Sequence, residues 1–258
     1  MQKRKISAVL VCIVVYVLVL TACADMNTSR AMPEVHVKRN LTAELPVVYD
    51  ISTVDADYQD LVSVFDYSID SDVSTIAEYS SAIVRGVVQE VTFTSYEGDA
   101  FTAVTFYVDE CYKGDLKQGD LITILQMGGY IPLQDHMDYY QDEYLYESLS
   151  NEEVANSILH ESHEGDGEPQ VGDHNIYFLD SPIAGSSLPA EAYQRTRGAS
   201  SLFRVESDGE TVSRKNSDVY AGSETVKPII SLFPPNGEEA YGNEVFSLQE
   251  IIGIASAS

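Results

Sequence analysis

The 258 residues carry 41 Asp and Glu against 15 Lys and Arg, a net charge of −26. A chain this acidic repels phosphate backbones and anionic headgroups, which excludes nucleic acid as a partner and leaves charge unable to hold it on a membrane. With 3 cysteines in all, a disulfide framework is excluded too, and stability has to come from a packed core.

The chain opens MQKRKISAVLVCIVVYVLVLTACAD, three cations ahead of an apolar run from Ile6 to Leu20. That run is shorter than the roughly 20 residues a bilayer span needs. With its basic flank it reads as an export signal over residues 1–22. Leu20-Thr21-Ala22-Cys23 resembles the lipobox of bacterial lipoproteins. The resemblance implies lipidation of Cys23, a membrane partner reached through that lipid, and a location on the extracytoplasmic face of the cell membrane. Cys12 is no rival, because Val11 before it is not small. Without Lys3, Arg4 and Lys5 the cations fall to 12 against 41 acids, a net −29.

Residues 23–60 are polar, lack apolar periodicity and contain Pro33 and Pro46, the pattern of a flexible tether. Inside this stretch VDADYQD has Asp55 and Asp57 at the first and third positions of a calcium loop. It has Asp60 where the loop's turn demands glycine. A domain over residues 61–258 follows.

Asp72 to Ser80 is expected as a short helix with Val73, Ile76 and Ala77 on one face. Ile83 to Thr94 is rich in β-branched residues, with Gly86 marking a bulge or bend. After the turn YEGDA, the alternating FTAVTFYVDECYKG completes a hairpin. Cys111 within it is expected as a half-buried strand thiol. DLITILQM is the third strand, stopped by Gly128-Gly129, and HNIYFLD the fourth. SLFRVESDGETVSR reads as another hairpin about Asp208-Gly209, and VFSLQEIIGIASAS as a closing helix on the sheet. Many short strands with turn signals predict a mostly β domain with short helices, a small antiparallel barrel or sandwich.

SSAIVRGVVQEV, VTFYVDECYKGDLKQGDLITILQMGG and VGDHNIYFLD together resemble a family of Gram-positive secreted or lipid-anchored proteins. The likeness spans about Thr75 to Asp180. It rests on the small-residue strand with Gly86 and on the turns at Lys113 to Asp115, Gly119-Asp120 and Gly172-Asp173. It implies an OB-like barrel similar to netrin and metalloproteinase-inhibitor modules. The animal inhibitors use disulfides and a cysteine-led N-terminal edge that this chain lacks, so the resemblance implies a fold and no inhibitory site.

An acidic, helical insertion is expected at about residues 131–170. Between Lys117 and Arg195 there is no Lys or Arg, yet the stretch holds His136, His160, His163 and His174, four of the five histidines. Ser150 and Glu153 have capping-box spacing, which predicts a helix from Asn151 to about His163. Val154 and Ile158 would face inward, with His160 and His163 on the opposite side. A zinc-protease helix needs histidines four apart with glutamate after the first. In SILHESHEGDGE they are three apart.

An i, i+3 pair among carboxylates still suits a surface zinc or calcium ion, with His160, His163, Glu153 and Glu164 as ligands. Tyr139, Tyr140, Tyr144 and Tyr146 add amphipathic rings that suit docking to a protein or cell-wall partner. No Gly-x-Ser-x-Gly elbow, phosphate loop or Cys-x-x-Cys pair is present, and no catalytic residue is assigned. The sequence therefore predicts a lipid-anchored binding or interaction module without a resident cofactor. The alternatives are a metal-dependent hydrolase and a surface cation-binding lipoprotein.

Overall fold

The computed structural model describes residues 39–49, 57–63, 69, 71–140, 146, 148–163, 168–182, 184–216 and 242–258. The expected export signal and Cys23 lie outside them. From the N-terminus come β1 (Asn40–Leu41), β2 (Asp57–Ser63), α1 (Val73–Tyr79), β3 (Ala82–Tyr96) and β4 (Asp99–Lys113). Next are β5 (Leu121–Met127), β6 (Gly129–Pro132), α2 (Leu133–Tyr140), α3 (Asn151–Ala155) and β7 (Ser157–His163). The last elements are β8 (His174–Asp180), β9 (Tyr193–Arg195), β10 (Leu202–Val205), β11 (Thr211–Asn216), β12 (Gly242–Ser247) and α4 (Leu248–Ala257).

The protein is mostly β with short helices, as the alternating runs predict. Its centre is the β3–β4 hairpin, two strands of 15 residues each. Glu97 and Gly98 turn it with φ of 53° and 82°. Left-handed values at both central residues match the right-handed twist of the strands they join. β5 adds antiparallel to β4, and β8 antiparallel to β3. The short β9 then pairs parallel with β5 and antiparallel with β8, so the pairings return to their starting strand. Inside this ring lie Val84, Val88, Val104, Phe106, Ile122, Ile124, Tyr177 and Leu179. They alternate with outward residues because a strand's side chains alternate faces.

Register shifts interrupt the β3–β4 ladder between Ile83 and Val84, between Arg85 and Gly86, and between Val88 and Glu90. A Cβ at Gly86 would lie 1.9 Å from the Tyr107 carbonyl oxygen and 2.9 Å from the Phe106 ring. The bend expected at this glycine is therefore a close backbone approach that any side chain would block.

β10, β11 and β12 continue antiparallel from β8. α1 and α4 cover the face of this extension, where Val73, Ile76 and Ala77 meet Phe178, Phe203, Val212, Leu248 and Ile251. α1 starts because Asp72 accepts from the Ser74 and Thr75 N–H groups. At its other end Lys113 Nζ donates to the Ala77 and Glu78 carbonyls at 2.8 and 3.1 Å. A cation there meets the negative end of the helix dipole.

A second sheet has the order β2-β7-β6, with β7 parallel to β2 and antiparallel to β6. Two expectations are corrected here. The helix predicted from Asn151 to about His163 ends at Ala155, and Ser157–His163 is strand β7. The Ser150–Glu153 capping box forms as predicted. Beyond it, pairing with two strands and burial of Leu159, Glu161 and His163 override the local helical pattern. The second correction concerns the tether. Its described parts are fastened: β1 pairs with β5, Tyr49 bridges Phe93, and β2 pairs with β7 along its length. Arg39 adds a side-chain link, its Nε donating to Asp120 Oδ1 at 2.7 Å.

Replacing Gly86 by alanine is expected to destabilise the protein by about 3 kcal/mol through overpacking against rigid backbone. The same change at Gly172, where φ is +96° but nothing lies within 4 Å, should cost only about 1 kcal/mol of left-handed strain. Urea denaturation of both variants compares the two, and equal costs would reject the close-approach account of Gly86.

Candidate functional site

Of the predicted contact and metal residues, Tyr139, Tyr140, Tyr146 and His163 lie where the hairpin tip meets α2 and the second sheet. α2 follows Pro132, and its buried side holds Leu133 and His136. A Cβ on Gly98 would lie 2.7 Å from Tyr139 Cβ, so the helix sits directly on the hairpin turn. His136 is buried, with Nδ1 2.9 Å from the Gly98 carbonyl oxygen. Its ring lies 4.8 Å from that of Tyr140. The Tyr140 hydroxyl donates to Asp99 Oδ1 at 2.6 Å. Tyr49 donates to Asp135 from the other side. Tyr139 and Tyr140 still present 52% and 39% of their surface to solvent.

Beneath these rings, the inner face of β7 carries Glu161 and His163, each only 4% exposed. Glu161 Oε1 lies 3.0 Å from His163 Nε2, and Oε2 accepts the Ala100 N–H at 3.0 Å. A buried carboxylate persists only with such partners. Asp99 stands at the edge of the group. Burial pushes its carboxyl above the usual range and nearby Glu161 adds to this, against the Tyr140 hydrogen bond and the imidazoles of His136 and His163.

His160 belongs to the other face of β7. It stacks on Tyr130 with ring centroids 4.5 Å apart and planes 11° apart, and its Nδ1 lies 2.9 Å from Asp60 Oδ1. In a helix, residues three apart share a face. In a strand they oppose each other, since the period is two. The proposed metal pair His160 and His163 is therefore split between the faces of β7. Glu153 is committed to its capping box, accepting the Ser150 N–H at 2.7 Å. Glu164 and Tyr144 lie outside the described residues. Tyr146 is half-buried, packs into the core below α2 and faces the His136 ring edge-on at 6.3 Å.

What the structure does bring together is Asp99, His136, Tyr140, Glu161 and His163. The spacing that would have found the buried pair is Glu161-x-His163, neighbours on one face of a strand. Among the described residues, no group of three or more His, Cys, Asp or Glu side chains is arranged to hold a metal ion. Cys111 is half-buried in β4, donates to the Lys113 carbonyl at 3.1 Å, and has its thiol pushed up by burial. It is the strand thiol the sequence predicts.

Comparison of the chain with family models, with characterised proteins and with solved structures finds no match.

Replacing Glu161 by leucine should cost about 3 kcal/mol, because it leaves the buried Ala100 N–H and His163 Nε2 without their acceptor. His160→Ala, which removes a half-exposed stacked ring, should cost under about 1 kcal/mol. Equal shifts in urea midpoint would contradict the division of the two histidines between faces. Asp99 gives a pH signature. Its pKa is higher folded than unfolded, so ionisation costs stability as pH rises from the unfolded pKa through the folded one, and the cost persists above. Asp99→Asn should be more stable than the parent at pH 7 and lose that advantage below about pH 3. Thermal melting across pH measures this, and a pH-independent difference would count against it.

Proposed function

We propose that this protein is a lipid-anchored, extracytoplasmic binding module whose contact surface is the tyrosine-bearing acidic ground over the hairpin tip. The observation that carries this reading is the state of Tyr139 and Tyr140. Both rings are exposed while α2 is clamped from beneath by Gly98, Asp99 and His136. Rigid aromatic rings that lose little freedom on docking are what contact surfaces are built from. The carboxylates around them, Asp135, Asp138 and Asp99, suit a partner that brings cations, a basic protein or a cationic wall polymer.

The frame for this surface is read as an OB-like barrel. Support comes from the five-stranded ring β3-β4-β5-β9-β8, a meander of three strands closed by a parallel β5–β9 pair. Binding is favoured over catalysis because Glu161 and His163, the closest approach to an acid–base pair in this region, are enclosed by packing. A general base has to reach the proton it abstracts. Attachment is assigned to lipid on Cys23. Among the described residues no helix is long and apolar enough to cross a membrane.

The test is made in living cells of a host that processes lipoproteins. A photoreactive phenylalanine analogue at Tyr139 should capture a basic partner, with a yield that falls as salt is raised several-fold. The same analogue at Tyr79, which is 60% exposed on α1, should not. Cys23→Ser should release the protein from the membrane fraction. Equal capture from both positions would remove the contact surface, and membrane retention of the serine variant would remove the anchor.

A further inference from the structure

Among the described residues four strands end a sheet: β1 and β12 in the larger one, β2 and β6 in the smaller. An edge strand offers a row of backbone N–H and C=O groups to any strand that can pair with it, and proteins blunt such edges by shortness, charge, proline or a bulge. Three of the four are blunted. β1 has 2 residues, β2 carries Asp57 and Asp60, and β6 has 4 residues and ends at Pro132. β12 is not. Its 6 residues include no proline and no lysine, and its ladder with β11 runs from Gly242 to Ser247 without a register shift. Its one charge, Glu244, is engaged by Arg214, whose Nε donates to it at 2.8 Å. Phe246 packs inward against Phe203. What the strand shows to solvent is Asn243, Ser247 and, between them, Val245 at 66% exposure.

The sequence of β12 suits a second copy of itself. Two antiparallel copies related by a two-fold axis continue one sheet, with side chains kept on their faces, only when they pair about a residue rather than between two. Pairing about Glu244 sets the two carboxylates directly opposite each other, which is repulsive. Pairing about Asn243 or Phe246 shortens the ladder toward one end of the strand. Pairing about Val245 opposes valine to valine, Asn243 to Ser247 and Glu244 to Phe246, with no like charges facing. The same register is complementary at longer range. Lys215 lies beside Asn243, and Thr211, which follows the turn bearing Glu206, Asp208 and Glu210, lies beside Ser247. Because Asn243 of one copy would face Ser247 of the other, each Lys215 comes to the end where the other copy's acidic turn lies. In a chain of net −26 few strands could meet their own copy without repulsion. Here β10, β11 and β12 carry Arg204, Arg214 and Lys215 against Glu244 alone.

We propose that β12 is the pairing edge of a reversible homodimer, in which two copies join through antiparallel β12 strands centred on Val245. A single edge strand of 6 residues is small beside the roughly 1,200 Å² or more of a stable interface, so the copies exchange rather than remain locked together. The pairing uses none of the residues over the hairpin tip, and either assignment stands or falls without the other.

Disulfide trapping of the purified full chain in mild detergent tests this. Val245→Cys places two thiols across the two-fold axis, where the Cβ atoms of opposed strand residues lie about 5 Å apart, close enough to bridge. Mild oxidation should give a species of twice the chain's mass, about tenfold above the background of the parent with its own cysteines. Asn243→Cys should stay at that background, since its two copies would stand about 13 Å apart along the paired strands. Val245→Lys, a charge placed at an exposed edge position, should move the sedimentation of the full chain toward monomer while leaving its melting temperature parental. The proposal is overturned if Val245→Cys traps no more dimer than Tyr79→Cys at the 60% exposed position on α1, if Asn243→Cys traps as much, or if the parent and Val245→Lys sediment alike.

Discussion

Every backbone donor at the buried tip of the β3–β4 hairpin has to find an acceptor, and at Ala100 that acceptor is the Glu161 carboxylate. Much of the arrangement follows from this one requirement. The hairpin is longer than its ring needs: its lower half packs around Phe106 and Val84, while its upper half projects past β5. The second sheet closes over that projection, with the Gly128 N–H donating to the Ala100 carbonyl at 2.8 Å and Glu161 taking the N–H. Such closeness needs Gly128 and Gly129. A Cβ on the first would meet the Glu161 carbonyl at 2.8 Å, and one on the second the Thr102 hydroxyl at the same distance. Their φ values of 90° and 140° also turn the chain out of β5 and into β6. The glycines expected to stop a strand hand it from one sheet to the other.

The shortage of cations shapes the rest. Several of the described cations act as braces, each holding more than one acceptor atom. Arg39 holds Asp120, whose other oxygen accepts the Lys117 N–H. Burial would raise the Asp120 carboxyl, but these partners hold it below the usual range. Arg197 donates to the Ile69 carbonyl and the Ser200 hydroxyl. Arg214 lies over the rings of Phe203 and Phe246, at 5.2 and 5.6 Å from their centroids, while bonded to Glu244. A planar guanidinium does this work better than an ammonium, since its fork of donors and its flat faces act together.

What was legible in the sequence is what local physics decides. Four strands of the ring, β3, β4, β5 and β8, announce themselves by β-branched or alternating runs between turns, whereas the three-residue β9 carries no such signal; α1 is marked by Asp72 and its apolar stripe, and α4 by Ser247 and the spacing of Leu248, Ile251 and Ala255. The capping box at Ser150 forms yet does not predict the helix's length, because it specifies where a helix starts and not how far it runs. What ends that helix is pairing with β2, a hundred residues away at the His160–Asp60 contact, and no local pattern encodes it. β2 was hidden in turn by its setting in an acidic, tether-like stretch. The candidate site inherits both misreadings. The spacing that pairs His163 with His160 holds on a helix and fails on a strand, whereas the actual neighbours of His163, Glu161 and Asp99, come from strands meeting at the hairpin tip.

The interior of the ring is not wholly apolar. Gln126, Tyr177 and Asn175 form a polar chain through it, buried to 4%, 0% and 1% exposure. Such a chain is tolerated only if every member is satisfied, because a low dielectric magnifies an unpaired end. Gln126 and Tyr177 satisfy each other. Asn175 is the end, and its free carbonyl oxygen costs on the order of 1–3 kcal/mol. An apolar residue at Asn175 would have avoided the cost altogether.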